Sequence, residues 1–290
     1  MKKLKDEIRN ALHNLYSPNE IQAIQRQFLT NWLVISDLDY YCDKDTNLSI
    51  KQREEFNEIL RRLKNEEPIQ YILGFTYFCG LRLWVNQNVL IPRPETEELV
   101  KLIKEDVVQY KMESKSLKIL DIGTGSGAII IALATSFPQA HFFAIDISES
   151  ALSIAKRNAI SHNVNIDFHK IDILENKFNE DISDNLAKLD IIVSNPPYIC
   201  NSQMTQLDNN VINYEPHLAL FVKDEDALIF YRNIAKYGQK MLKRGGKLFF
   251  EINQEYGFET KKLLEDMGYQ NVCIIKDIYN NNRMIIAQNN

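Results

Sequence analysis

Cysteine is scarce. Four occur in 290 residues, at Cys42, Cys79, Cys200 and Cys273, with no CxxC pair among them. The five histidines do not gather beside them. Neither a zinc site nor a disulfide framework is suggested, so no metal is expected. No uninterrupted apolar stretch is long enough to span a bilayer. The opening Met1-Lys2-Lys3-Leu4-Lys5-Asp6-Glu7 has no apolar h-region behind it. Together these absences predict a reducing, cytoplasmic compartment and no membrane partner. An excess of basic charge is missing too. The formal charge is −5, which argues against a non-specific nucleic-acid coat and predicts no stable nucleic-acid binding. No internal repeat or low-complexity tract is present.

What remains is an ordinary globular composition, 45% hydrophobic and 25% charged. It is long enough for a large core and two domains. Residues 1–66 read as helices. Leu4, Ile8, Leu12 and Leu15 form an apolar stripe at helical spacing. Ser17-Pro18 opens a second helix, with Ser17 as N-cap and Pro18 in the first helical position. Ser49 opens another, with Phe56, Ile59, Leu60 and Leu63 on one face. Arg53, Arg61, Arg62 and Lys64 lie there too, but glutamates interleave, so a solvated face is the better reading. No catalytic constellation falls in this segment. It reads as a small helical domain that helps hold a macromolecular substrate.

Pro68 ends that pattern. Tyr71 to Phe78 and Leu81 to Val85, with Gly80 between them, predict a β-hairpin. This makes 67–90 a linker and 91–290 the second domain. Leu90-Ile91-Pro92-Arg93-Pro94-Glu95-Thr96-Glu97 then starts a helix whose first-turn carboxylates suit its dipole. That helix runs to about Tyr110, and 111–116 is a polar connection.

Lys118 to Ile122 reads as a strand entering Gly123-Thr124-Gly125-Ser126-Gly127 and then a helix. Strand, glycine-rich turn and helix are the first unit of a nucleotide-type α/β fold. Asp146 ends the next strand, where a carboxylate can accept from both ribose hydroxyls. Asp172 closes a third strand, Ile166 to Lys170 with Ile171. Asp121 discriminates between cofactors, because an uncompensated carboxylate beside the glycines would repel a pyrophosphate. S-adenosyl-L-methionine carries an ammonium, a sulfonium and no phosphate. Its amino-acid end suits Asp121 and the glycine amides, its ribose Asp146 and its adenine amine Asp172. The plainer alternative for Asp121 is a turn-stabilising Asx residue.

The apolar run Leu189 to Val193 leads into Ser194-Asn195-Pro196-Pro197-Tyr198-Ile199. Ligands sit beyond the carboxyl ends of strands in open α/β sheets. An Asn there offers an acceptor and a donor pair, and two prolines leave the main chain presenting mainly carbonyls. Tyr198 supplies a flat face. This suits a planar group bearing an –NH2, though a Pro-Pro strand terminator with a surface Tyr would read the same. A long connection, Cys200 to Val222, follows and is read as a lid or substrate wall. His217 within it is as well explained by packing. Asp224 to Lys243 reads as a helix broken by Gly245-Gly246. A strand, Lys247 to Ile252, a helix, Gln254 to Met267, and two antiparallel strands, Val272 to Ile275 and Arg283 to Ala287, complete the chain.

Residues 67–290 resemble the protein-glutamine methyltransferases that modify peptide-chain release factors. The resemblance is carried by Glu67-Pro68-Ile69-Gln70-Tyr71-Ile72 with Gly74, Leu90 to Glu97, Asp121 to Gly127, Asn195 to Ile199, Tyr214-Glu215-Pro216 with Ala219-Leu220, and Phe250-Glu251-Ile252. It implies a seven-stranded Rossmann-like α/β methyltransferase domain behind a small helical domain and a β-hairpin linker. S-adenosyl-L-methionine is the implied donor and S-adenosyl-L-homocysteine the product. The implied acceptor is the Gln of a Gly-Gly-Gln tripeptide in class 1 release factors, with the enzyme acting as a monomer. The alternatives are a glutamine of a ribosomal protein or, further off, a nucleic-acid adenine amine. On this basis Asn195, Pro196, Pro197 and Tyr198 form the catalytic set. The donor set is Asp121, Gly123, Thr124, Gly125, Ser126, Gly127, Asp146, Asp172, Ile173 and Asn195. Asn253, Ala227 and 277–283 depart from the family pattern, which carries glycines there.

Overall fold

The computed structural model describes residues 1–109, 117–175 and 188–290; the polar connection 111–116 lies outside them. The chain divides into two compact units, Met1–Phe75 with Leu207–Tyr214, and Thr76–Gln206 with Glu215–Asn290.

The first unit is helical: α1 (Lys2–Leu12), α2 (Pro18–Trp32), α3 (Asp37–Tyr41), α4 (Ile50–Lys64) and α5 (Ile69–Leu73). Both expected N-caps form complete capping boxes, Ser17 with Glu20 and Ser49 with Gln52. Each box satisfies donors that a helix start otherwise leaves unpaired. Ile8, Leu12, Phe28, Leu29, Phe56 and Leu63 are fully buried together. Burying side chains of this size stabilises by about 1.5–3 kcal/mol each. The expected hairpin begins later than its composition suggests, because Tyr71 lies in α5. Pro68, which has no N–H to give, is the N-cap of that short helix, and Gly74 ends it in the left-handed region at φ 78°. An aromatic and β-branched run this short fits a buried helical turn as well as a strand. Within the connection after Cys200, α9 (Asn209–Tyr214) also belongs to this unit, and the Tyr214 hydroxyl donates to the Asn65 carbonyl.

The hairpin is formed by β1 (Phe75–Phe78), which lies in the second unit from Thr76 on, and β2 (Leu81–Trp84). The remaining elements are α6 (Pro94–Gln109), β3 (Lys118–Ile122), α7 (Ala128–Ser136), β4 (His141–Asp146), α8 (Glu149–Ser161), β5 (Asp167–Lys170), β6 (Leu189–Ser194), β7 (Ile199–Cys200), β8 (Phe221–Val222), α10 (Ile229–Met241), β9 (Leu242–Glu251), α11 (Gly257–Asp266), β10 (Gln270–Lys276) and β11 (Asn282–Gln288). Seven strands form one sheet in the order β10-β11-β9-β6-β3-β4-β5. The strands from β9 to β5 run parallel, while β11 is antiparallel to both β9 and β10. Apolar clusters cover both faces, which is why β3 and β6 read as near-continuous hydrophobic runs.

One expectation is corrected here. Gly245 and Gly246 lie inside β9 rather than ending the helix before it. Gly245 adopts φ 79°, and a Cβ on Gly246 would come within 3.1 Å of the Leu189 carbonyl. The pairing of β9 with β6 slips at this point. The two glycines therefore make a bulge where two backbones approach closely.

Strand order reverses between β3 and β6, since β4 and β5 follow β3 on one side while β6 lies on the other. Their carboxyl ends are in register, with Ile122 beside Ser194. A crevice at such a switch point is where open α/β sheets bind ligands.

Candidate functional site

A cavity of about 350 Å³ opens at that crevice, and every lining residue belongs to the second unit. One wall comes from the strand ends and the turns after them: Ile122, Gly123 and Gly125 after β3, Asp146 to Ser148 after β4, Ile171 to Leu174 after β5, and Ser194 to Pro197 after β6. Gln87 to Leu90 close one side, Pro216, Leu218 and Ala219 another, and Phe230 and Ile234 of α10 a third.

The glycine-rich turn is shaped by its backbone. Gly123, Gly125 and Gly127 all have positive φ, at 73°, 55° and 82°. Gly127 is the N-cap of α7, and a Cβ there would fall 2.8 Å from Ile131 Cδ1. Asp146 lines the cavity and holds the turn, its Oδ2 accepting from Gly125 N at 2.9 Å and its Oδ1 from Ser148 N at 2.9 Å. Burial raises the carboxyl of Asp146 above its ordinary range, against those two amide bonds. Asp172 caps its own turn through Leu174 N.

Asp121 is 1% exposed. Its Oδ2 accepts from Thr124 Oγ1 at 2.7 Å, whereas Oδ1 has no partner among the described residues. Burial, with Asp146 nearby, pushes this carboxyl up to about 7 despite the Thr124 bond. A buried acceptor left open is costly unless a ligand completes it. The cavity lining includes Asp146 and Asp172 and no lysine or arginine. Such a site fits a ligand with an ammonium, a ribose and no phosphate, and apolar contacts from Ile145, Ile147, Ile171, Ile173 and Phe230 suit a flat ring. S-adenosyl-L-methionine has these features.

Of the expected site residues, Gly123, Gly125, Asp146, Asp172, Ile173, Asn195, Pro196 and Pro197 line this one cavity. Asp121, Thr124, Ser126 and Gly127 are not among the lining residues. Tyr198 turns back from the lining: its hydroxyl donates to Glu251 Oε1 at 3.1 Å, and its ring packs on the core. Burial and the Glu251 charge raise its phenol well above the ordinary value. His217 packs edge-on against Phe221, with ring centroids 5.1 Å apart.

Three supporting residues lie outside the expected site set. Asn158, fully buried on α8, bonds both the N–H and the carbonyl of Trp84 and also the carbonyl of Ser126. It ties the hairpin to the glycine-rich turn. Glu251 ends β9 at 1% exposure and accepts from Thr96 Oγ1 at 2.6 Å. Both residues lie in motifs quoted above, Thr96 in Leu90 to Glu97 and Glu251 in Phe250-Glu251-Ile252, but nothing in the sequence pairs them.

Residues 113–288 match a methyltransferase domain family, and residues 4–74 match a PrmC N-terminal domain family. A release factor glutamine methyltransferase of Flavobacterium psychrophilum is 46% identical over 95% of this chain and 94% of its own. That of Bacteroides thetaiotaomicron is 43% identical over 97% of each. This chain belongs to the release factor glutamine methyltransferase family. In fold it also resembles the human methyltransferase 10 domain containing protein, with TM-score 0.52, 19% identity, and coverage of 72% of this chain and 90% of that one.

The departures from the family's glycines are accommodated locally. Ala227 is right-handed helical at φ −60°, and Asn253 is extended at φ −64°. Asn253 also donates to the Tyr198 carbonyl at 3.1 Å, a bond no glycine side chain could make. In the turn between β10 and β11, Asn280 adopts φ 68°, a left-handed conformation that Asn tolerates better than most residues.

Proposed function

We infer that this chain transfers a methyl group from S-adenosyl-L-methionine to the side-chain amide nitrogen of the Gln in the Gly-Gly-Gln motif of class 1 release factors. We take it to act in the cytoplasm, as a monomer and without stable nucleic-acid binding. No helix among the described residues is long and apolar enough to cross a membrane. The observation that carries the reading is that Asn195-Pro196-Pro197 lines the same cavity as the glycine-rich turn, one lined by Asp146 and Asp172 and by no lysine or arginine.

Asp121 and the amides of the turn would hold the donor's amino-acid end, and Asp146 its ribose. Asp172, Ile173 and Phe230 would hold its base. When bound, the donor supplies an electrophilic methyl on a sulfonium. A carboxamide nitrogen is a weak nucleophile because its lone pair is delocalised, so positioning and electrostatics must carry the rate. Asn195 Oδ1 and the Pro196 carbonyl are the acceptors assigned to the two amide hydrogens. They would aim the nitrogen and stabilise the positive charge that grows on it. The prolines at 196 and 197 have no N–H to compete with the substrate amide for these acceptors. The Tyr198 hydroxyl stays bonded to Glu251 behind the slot. No side-chain base is required if the proton leaves to water after transfer.

The test is methyl transfer to a purified class 1 release factor, beside the same factor with that Gln changed to Glu. Labelling of the first and not the second is expected. Equal labelling of both, or labelling of neither, would reject the reading.

A further inference from the structure

A lone Asn carboxamide at the end of a strand has two faces to offer. Turned one way it presents an oxygen that welcomes an incoming N–H; turned the other way it presents an N–H that repels one. The acceptor role requires one orientation, and Asn195 itself does nothing to choose it.

The choice is made behind it. Glu251 is buried at the end of β9, with both carboxylate oxygens occupied: Oε2 by Thr96 Oγ1 at 2.6 Å and Oε1 by the Tyr198 hydroxyl at 3.1 Å. An ionised carboxylate only accepts. Thr96, 4% exposed in the first turn of α6, therefore spends its single hydroxyl proton on Glu251. It has only lone pairs left for its other neighbour, Asn195 Nδ2 at 3.4 Å. The nitrogen arm of Asn195 is drawn toward Thr96, and the oxygen arm lies on the other side of the carboxamide. Charge polarity thus passes from carboxylate to hydroxyl to amide.

We propose that Glu251 and Thr96 are positioning residues for the acceptor amide, acting through a one-way hydrogen-bond relay that fixes the orientation of Asn195. This deepens the reading above and rests on it. The relay also explains a buried carboxylate that would otherwise be a burden, since burying a charge is unfavourable unless it is hydrogen-bonded. Burial raises the Glu251 carboxyl above its ordinary value; the hydroxyls of Thr96 and Tyr198, and then Arg283 on β11, act against that rise and favour the ionised form, while Glu95 on α6 adds to it. The hydroxyl of Tyr231, from α10, bonds the backbone carbonyl of Glu251 at 3.2 Å and so leaves the carboxylate to Thr96 and Tyr198.

Thr96→Val removes the hydroxyl and keeps the shape. Thr96→Ser keeps the hydroxyl. Glu251→Gln keeps the volume and places a donor where two hydroxyls donate, so one of them must reverse. All three full-length proteins are compared with wild type by kcat and KM on the release factor, by calorimetry with S-adenosyl-L-homocysteine, and by the side-chain NH2 resonances of Asn195, assigned by their loss in Asn195→Ala. The relay predicts that Thr96→Val and Glu251→Gln lower kcat by ~10-fold or more, as loss of a preorganised contact does. KM and product affinity should stay near wild type, and Thr96→Ser should restore turnover. The Asn195 resonances should move in Thr96→Val and stay in Thr96→Ser. Folded Thr96→Val and Glu251→Gln proteins that turn over within about twofold of wild type, or Asn195 resonances unmoved by Thr96→Val, would overturn the proposal. A simple structural role would instead lower product affinity in step with kcat, which equally overturns it. Failure of wild type to methylate the Gln would reject the functional reading alone, because the resonances still report the relay.

Discussion

Asp121 and Asn195 have opposite duties at the residue scale, and each gives a separate prediction. Asp121 keeps one buried oxygen unpaired, and its carboxyl is pushed up to about 7. Below that pH the group is protonated and neutral, and it attracts an ammonium poorly. Above it the carboxylate is charged. Affinity for S-adenosyl-L-homocysteine should therefore rise as pH increases through about 7, and Asp121→Asn should be weaker and lose that slope. Calorimetry between mildly acidic and mildly basic pH reads both. The linkage to stability has the opposite sign: a carboxyl raised above its unfolded value binds more protons when folded, so its contribution declines as pH rises toward 7. Asn195 lines the cavity without anchoring the glycine-rich turn, so Asn195→Ala should leave product affinity close to wild type. Its loss belongs to turnover, at about 2.7–4 kcal/mol or a hundred- to a thousandfold in kcat, since the contact strengthens as the nitrogen becomes cationic. Single-turnover kinetics at saturating donor separates the two effects.

Elements differ in how far their placement could be read from the chain. Helix starts at Ser17 and Ser49 were legible because a capping box is written within four residues. The strand, turn and helix around Gly123 to Gly127 were legible for the same reason, as was the strand entering Asn195. Gly245 and Gly246 misled, because a glycine pair reads as a break when it is really a bulge against β6. Tyr71 misled because a five-residue helix and a strand start share one composition. Thr96 and Glu251 are 155 positions apart and Trp84 and Asn158 are 74 apart, so no local pattern could join either pair. Asn158 gives the element-scale prediction. Asn158→Ala strips bonds from the N–H and carbonyl of Trp84 and from Ser126, and buried groups left unpaired cost about 1–3 kcal/mol. Thermal unfolding should show that loss, and product affinity should fall with it because the glycine-rich turn loses its tie to the hairpin.

At the scale of the whole molecule, all the cavity residues come from the second unit, yet the chain carries a separate helical unit with its own core. A slot for one side chain gives little grip on a protein, so we expect the helical unit to serve docking. Intact release factor should then have a kcat/KM at least about tenfold above that of a short Gly-Gly-Gln peptide, which is only ~1.4 kcal/mol of extra binding. Equal values would leave the helical unit without that role. The formal charge of −5 and the cavity without lysine or arginine fit a protein substrate better than a nucleic acid. The central claim is that the carboxamide slot and the donor cavity together methylate a glutamine nitrogen. Tandem mass spectrometry of release factor incubated with the enzyme and S-adenosyl-L-methionine, in the presence of ribosomal protein and nucleic acid, tests it most directly. One methyl group on the side-chain nitrogen of the Gly-Gly-Gln glutamine is expected; a methyl group on another residue, on the ribosomal protein or on an adenine, with that glutamine unmodified, would exclude this function.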